Sequence, residues 1–204
     1  MSDQPRPGAR QGSGEPWSER LPLPGRATMH ARQRETADAL IAGPRKGVYG
    51  PFVPLLRSPV LLDRVARVGE YLRFESVLDA RVRELVTCAA ARHVSNQFEW
   101  AMHAPLAIAA GVSAAAIESL RQGAAPKELA ADEAAALDFA QEILRCDGVS
   151  DAGYGVALRH FGEQGVVELA TLVGYFVMVS WVMNVARTPA PLNAKASPLP
   201  PFPL

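Results

Sequence analysis

The sequence predicts an all-α fold of about seven helices. Apolar residues recur three and four positions apart through most of the chain, and no useful stretch alternates apolar and polar residues as a half-buried strand does. Capping residues and glycines divide this pattern into segments of helical length. The 204 residues therefore suit one helical domain. We place it at residues 28–187, between an N-terminal tail at 1–27 and a proline-rich arm at 188–204.

The first two predicted helices have clear starting residues. Ser58 and Pro59 suit the N-cap and first position of a helix that runs to about Arg73. Asp79 suits the N-cap of the next helix, which runs to about His93. Apolar residues at helical spacing give each of them one buried face.

The remaining helices follow from the same signals. Asn96 caps the third helix, with Glu99 three residues later in a capping-box relation, and Pro105 predicts a kink inside it. Four further helices open at Ser113, Asp132, Ser150 and about Gln164, and end before Gly123, before Gly148, before Gly162 and at about Arg187.

One segment is apolar enough to resemble a membrane span. Residues 166–186 are nearly long enough to cross a bilayer, but they include Glu168 and Asn184 and lie among amphipathic segments. We therefore expect a helix that is buried on most sides, and no membrane contact. The N-terminus has no apolar run typical of a signal peptide, which predicts a cytoplasmic protein.

The two tails are not helical. Residues 1–27 mix Pro, Gly, Arg and Ser without periodicity, which predicts a flexible tail. The prolines of residues 188–204 remove backbone donors and exclude a helix there. The apolar Leu199, Phe202 and Leu204 favour an extended arm that docks on the body or on a neighbouring subunit.

Composition excludes several classes of protein. The formal net charge is +0, and no stretch combines dense Lys and Arg with aromatic residues, so nucleic acid is not an expected partner. Cys88 and Cys146 lie far apart and neither belongs to a CxxC or CxxH pattern. We expect both thiols to be free, with no zinc site and no disulfide framework.

The candidate site lies in residues 84–103. On a helix that begins after Asn96, the side chains of Asn96, Trp100 and His103 share a face and are expected to line one wall of a pocket. Glu99 lies one turn before His103, where it either orients the imidazole or only stabilises the helix.

The preceding helix offers a second set of polar groups. Glu84 and His93 complete the site if the two helices pack antiparallel or cross near residue 95. An imidazole held by a carboxylate donates or accepts a proton near pH 7. The alternative is that His103 is only a buried, hydrogen-bonded side chain.

Three other features are weaker candidates. Arg73, near a helix end, suits a substrate carboxylate through its planar guanidinium. Residues 43–52, GPRKGVYGPF, lack the order of a phosphate-binding loop and suit a lid over a cavity. Tyr175 offers a phenol to a polar cavity, although a core tyrosine is the ordinary interpretation.

These motifs resemble the carboxymuconolactone decarboxylase family, which shares its helical fold with the alkyl hydroperoxidase D-type proteins. The resemblance covers residues 37–186, and the stretch ARHVSNQFEWAMHAPLAIAAGVS at 91–113 is the most specific part of it. The other stretches that carry it are residues 41–59, 69–85 and 161–176. The resemblance implies an all-α subunit that forms homo-oligomers.

The resemblance also implies a chemistry. The decarboxylase branch uses no metal or organic cofactor and removes a carboxylate, as carbon dioxide, from a small unsaturated lactone, a reaction of aromatic catabolism. His103 is then the general acid or base, and Glu84 sets its tautomer and charge. The residues expected to bind the anionic substrate or wall its cavity are Arg73, His93, Asn96, Trp100 and Tyr175.

Alternatives stay open beside this decarboxylase-like lyase. The same site suits a hydrolase or isomerase of another small acid. The peroxidase branch of the family is disfavoured because its CxxC motif is missing from this chain. A helical assembly protein without catalytic activity is the third alternative, in which the polar cluster only joins subunits.

Overall fold

Eight α-helices form the protein in a computed structural model that describes residues 18–192 and 194–200. The described residues include no strand, so the predicted all-α class is confirmed. The helices are α1 (Ala31–Ala42), α2 (Phe52–Leu55), α3 (Pro59–Phe74), α4 (Ala80–His93), α5 (Gln97–Ala110), α6 (Ala114–Arg121), α7 (Ala131–Cys146) and α8 (Asp151–Ala186). A short 3-10 helix, Arg26–Thr28, precedes α1.

Helix α4 is the centre of the structure and packs against α5, α6, α7 and α8. It begins where Asp79 accepts a hydrogen bond from the backbone N–H of Arg81 at 2.8 Å. A tight turn then joins it to α5, with Ser95 in the left-handed region at φ 52°. Asn96 caps α5 by accepting from the backbone N–H of Glu99 at 2.8 Å. The two helices therefore form a hairpin, and α5 continues through Pro105.

The predicted start of α7 is wrong by two residues. Its N-cap is Ala130, whose backbone N–H donates to the carboxylate of Glu133 at 2.9 Å. Asp132 lies instead in the first turn, where its carboxylate pairs with Arg81 at 3.0 Å. Because the Glu133 carboxylate accepts from a backbone N–H at the start of this helix, Asp132 is not needed as the N-cap.

Helices α1 and α2 are not among the helices predicted from the sequence. Only Ala37 and Leu40 of α1 are buried, so this helix has a narrow apolar face and gives little periodic signal. Its N-cap is His30, whose Nδ1 accepts from the backbone N–H of Gln33 at 3.4 Å. Helix α2 is four residues long and lies inside an apolar run, which periodicity does not resolve.

Helix α8 contains the predicted break. Gly162 has φ 66° and ψ 178°, which divides α8 into a short first part and a long apolar second part. The expectation that the second part is buried on most sides is wrong, because Val167, Trp181 and Val185 are each at least 60% exposed. By length and composition α8 is able to cross a membrane, and 44% of its most apolar window is buried.

The N-terminal segment differs from the flexible tail predicted for residues 1–27. Residues 1–17 lie outside the described residues, whereas residues 18–27 run along the body. The backbone N–H of Arg20 donates to Ala186 at 2.8 Å, and the Arg57 guanidinium donates to the carbonyl of Leu21 at 3.2 Å.

The C-terminal arm crosses the body beside α5 and α6. Leu199 is only 4% exposed, and its backbone N–H and carbonyl both bond the side-chain amide of Gln97 at 2.9 Å. Arg121 donates to the carbonyl of Pro198 at 2.7 Å. Phe202 and Leu204, which we expect to help this docking, lie outside the described residues.

Candidate active site

A cavity of about 130 Å³ lies between residues 43–51 and helices α2, α3, α4, α5 and α8. An apolar cavity of about 150 Å³ is enough to hold benzene, so this space suits a molecule with one small ring. The residues that line it are Arg45, Tyr49, Pro51, Phe52, Gly69, Leu72, Arg73, Arg83, Glu84, Thr87, Phe98, Glu99, Met102, His103, Leu106, Leu172, Tyr175, Phe176 and Val179.

The hairpin of α4 and α5 brings Glu84 and His103 together. Glu84 lies ten residues before Val94 and His103 nine residues after it, so two helices that fold back at this turn carry both side chains to the same height. The Nδ1 atom of His103 is 2.6 Å from Oε2 of Glu84. The predicted convergence of these two groups is therefore present.

Glu99 approaches the imidazole from the other side. Its Oε2 atom lies 3.2 Å from Nε2 of His103, one helical turn along α5. The capping box predicted for Glu99 is only half formed, because the backbone N–H of Asn96 donates to Ala91 rather than to the Glu99 carboxylate. That carboxylate is thus directed at His103. Both ring nitrogens face a carboxylate oxygen, and both must carry hydrogen for each to donate.

The two carboxylates change the protonation of His103. Burial acts to lower its pKa, but the hydrogen bonds and charges of Glu84 and Glu99 outweigh burial and raise the pKa from 6.5 to about 9. The exposed fraction of the His103 side chain is 12%, and that of Glu99 is 5%. His103 is consequently an imidazolium at pH 7, with a proton on each ring nitrogen.

Aromatic rings connect the imidazole to the rest of the cavity. The ring of Phe176 contacts His103 edge to face with centroids 5.0 Å apart, and Tyr175 contacts Phe176 in the same way at 5.3 Å. Burial raises the pKa of the Tyr175 phenol to about 12, although the Arg45 guanidinium acts to lower it. Tyr175 therefore presents a neutral hydroxyl as a hydrogen-bond donor.

Arg45 is a site residue that the sequence analysis did not single out. The loop that contains it was expected to cover a cavity, and the structure places that loop against the cavity. The guanidinium carbon of Arg45 lies 4.3 Å from the ring centroid of Phe52, and Nη2 donates to the carbonyl of Ala66 at 3.2 Å. In the sequence, only the position of Arg45 in a loop between two glycines pointed to a role in the site.

The cavity lining has an excess of positive charge. Four cationic side chains contribute to it when His103 is protonated, against two carboxylates. The cations are Arg45, Arg73, Arg83 and His103, and the carboxylates are Glu84 and Glu99. A low-dielectric space with this balance favours an anionic ligand.

The predicted wall of Asn96, Trp100 and His103 does not form. The side-chain amide of Asn96 donates to Ser180 at 3.2 Å and to Asn184 at 2.8 Å, which fixes α5 to α8. Trp100 is 1% exposed in a separate hydrophobic cluster and donates to the carbonyl of Ser197 at 2.9 Å. Neither residue lines the cavity.

Helical phase explains this correction. At about 100° per residue, Trp100 lies about 60° from His103 on one side, whereas Glu99 lies about 40° from it on the other. The cavity is on the Glu99 side. His93, which we expected to bind the substrate, is exposed at the end of α4 and is also absent from the lining. Arg73 lines the cavity, as does Tyr175.

Neither cysteine lines the cavity. Cys88 is completely buried one turn from Glu84, and burial, together with the charges of Glu84 and Glu99, raises the pKa of its thiol well above the ordinary value. Cys146 is exposed at the end of α7. The part of the chain that the structure describes contains no group of three or more His, Cys, Asp or Glu arranged to hold a metal ion.

Comparison with sequence families gives one match. A sequence model described as the carboxymuconolactone decarboxylase family matches residues 59–142, which include α3, α4, α5 and α6 with Glu84, Glu99 and His103. No functionally curated protein matches the chain at a significant level.

Solved structures share the fold at low sequence identity. An alkylhydroperoxidase AhpD core protein of Ralstonia eutropha JMP134, described as an uncharacterized peroxidase-related protein, has 16% identity and a TM-score of 0.69, with 88% of this chain and 95% of that chain covered. An uncharacterized peroxidase-related protein of Silicibacter sp. TM1040 has 16% identity and a TM-score of 0.69 over 97% and 98%.

A third structure carries a different description. The debrominase Bmp8 in complex with 2,3,4-tribromopyrrole has 9% identity and a TM-score of 0.65, with 84% of this chain and 91% of that chain covered. These identities establish a common fold and nothing finer.

Proposed function

We propose that this chain, whose residues 59–142 match the model of the carboxymuconolactone decarboxylase family, is a cofactor-independent lyase that decarboxylates a small unsaturated lactone or a related enolisable acid. The observation that supports it most is the His103 imidazole held between Glu84 at 2.6 Å and Glu99 at 3.2 Å inside a ring-sized cavity. This arrangement supplies a proton donor at neutral pH beside the space a substrate fills.

The reaction needs one proton donor. As the C–C bond to the departing carboxylate breaks, its electron pair moves through the conjugated double bond to the lactone carbonyl and carbon dioxide leaves. The resulting dienolate then takes a proton at carbon from Nε2 of His103, and the neutral imidazole regains a proton from water. Glu84 accepts the hydrogen bond from Nδ1 throughout and holds the ring in place.

Access to the acid proton requires a rearrangement of Glu99. In the structure its carboxylate occupies the Nε2 side of the imidazole, so the substrate carbon must take its place there. Glu84, on the Nδ1 side, keeps the ring fixed while this happens. Glu99 is thus the movable partner and Glu84 the fixed one.

Glu99 also favours a second candidate, an isomerase of a small acid. A carboxylate 3.2 Å from an imidazolium nitrogen forms an acid and base pair that can remove a proton from one carbon and return one to another. The peroxidase alternative has less support, because the thiol of Cys88 is buried and its pKa is raised.

The proposal is tested with purified protein and γ-carboxymuconolactone as substrate. We expect one carbon dioxide released for each lactone consumed, with unchanged rates in the presence of a chelator. Consumption without carbon dioxide and with a product of unchanged mass would favour the isomerase. No consumption, or peroxide reduction coupled to thiol oxidation, would contradict the proposed lyase.

The other parts of the expected function stay predictions. The exposed Val167, Trp181 and Val185 on α8 support self-association, since large apolar side chains rarely face water together. A role in aromatic catabolism and a cytoplasmic location rest on the sequence analysis alone.

A further inference from the structure

We infer that Arg45, with Tyr175 beside it, binds a carboxylate that the substrate retains, and that Arg45 thereby determines specificity. The identity of the substrate rests on the proposed function, but the binding of an anion at this place does not. Neither the family match nor the structural neighbours assign a role to either residue.

The first observation is an unsatisfied donor. The Arg45 side chain is only 10% exposed, and its buried Nε has no hydrogen-bond partner among the described residues. The nearest carboxylate oxygen, on Glu70, is 3.6 Å away, which is close enough for an ion pair and too far for a hydrogen bond. A buried donor without an acceptor is unfavourable, and the guanidinium that carries this donor lines the cavity.

The second observation is a space kept open by Gly69. A Cβ at this position would clash with the hydroxyl of Tyr175 and lie 2.9 Å from Nη2 of Arg45. The absence of a side chain thus lets the phenol and the guanidinium lie together against α3. Two donors, one charged and one neutral, consequently converge at the cavity surface.

The other two arginines of the lining are less suited to this role. Arg83 donates to the backbone carbonyl of Leu78. Arg73 is exposed, and its guanidinium carbon lies 5.3 Å from the ring centroid of Phe74. Arg45 is the cation that is buried and has a donor left over.

The bound carboxylate is one that stays on the substrate. A cation paired with the departing carboxylate would stabilise the ground state, because the negative charge leaves that group as carbon dioxide forms. A retained carboxylate keeps its charge throughout, so Arg45 can hold and orient it without opposing the reaction.

Isothermal titration at pH 7 with 2-furoate, a five-membered ring that carries one carboxylate, tests the inference without turnover. Arg45→Met is expected to weaken binding about tenfold to hundredfold, the range for a hydrogen bond to a charged group. Arg67→Met, at an exposed side chain outside the cavity lining, is expected to change it less than about threefold, the range for an exposed charge. The neutral 2-furamide is expected to bind the wild type and Arg45→Met equally.

Glu70→Gln gives a prediction of the opposite sign. Removal of the carboxylate 3.6 Å from Arg45 leaves the cation less neutralised, so 2-furoate is expected to bind more tightly. An Arg45 that only holds the loop in place would give no such gain. No detectable furoate binding by the wild type, equal affinity in Arg45→Met, or a loss of affinity in Glu70→Gln would each overturn the inference.

Should Arg45→Met not fold, Arg45→Lys retains the charge without the planar fork and is expected to bind more weakly than the wild type, and equal affinity would overturn the inference. Arg45-dependent furoate binding in a protein that does not decarboxylate the lactone would remove the proposed reaction and leave the anion site standing.

Discussion

His103→Gln is expected to lower the turnover of γ-carboxymuconolactone by about 10²–10⁴, the usual contribution of one general acid or base. Glutamine retains a polar side chain that can contact Glu84, but it has no proton of suitable pKa to give to the dienolate. Steady-state rates at pH 7 measure the loss, and circular dichroism shows whether the helical fold is retained.

His160→Gln is the matched control. His160 is exposed on α8 and is absent from the cavity lining, so its replacement is expected to leave turnover unchanged. Wild-type turnover in His103→Gln, or an equal loss in both variants, would exclude His103 as the proton donor.

Glu84→Gln is expected to lower turnover by about 10², toward the lower end of the same range. The neutral amide no longer balances the imidazolium, and burial then acts against the charged ring with only Glu99 opposing it. The pKa of His103 falls, so less of the acid form is present at neutral pH. The Nδ1 contact also loses its charge, which makes the ring less firmly oriented.

The pH profile separates this explanation from simple misplacement. Since the acid form is the active one, wild-type activity is expected to persist through neutral pH and to decline as the pH rises through about 9, the pKa of His103. In Glu84→Gln the decline is expected at lower pH. Glu35→Gln, on an exposed side chain of α1, is expected to keep the wild-type profile. An unchanged alkaline limit in Glu84→Gln would show that Glu84 does not set the charge of His103.

Local signals predicted most of the helices. α3 begins after Ser58, α4 after Asp79 and α5 after Asn96, as the capping residues indicate, and Gly162 breaks α8. These boundaries depend on residues next to one another in the chain. α1 was missed because its contacts with the body come from a narrow face whose partners lie in α3.

The pairing of Glu84 with His103 was accessible from the sequence because both residues are nearly equidistant from one tight turn. Which face of α5 meets the cavity was not, since a difference of about 100° between Glu99 and Trp100 is decided by how the helices pack. Arg45 was missed for a related reason. Its loop has no periodicity. The position of its side chain depends on contacts with Phe52 and Gly69, which are known only once the chain is folded.

The proposed chemistry depends on His103 being an imidazolium that two carboxylates hold in a ring-sized cavity. Nitrogen NMR of the imidazole, assigned by the signal that disappears in His103→Gln, measures this directly. We predict that both ring nitrogens are protonated at pH 7 and that the ring titrates near pH 9. A neutral ring at pH 7, with a pKa at or below the ordinary 6.5, would contradict the account.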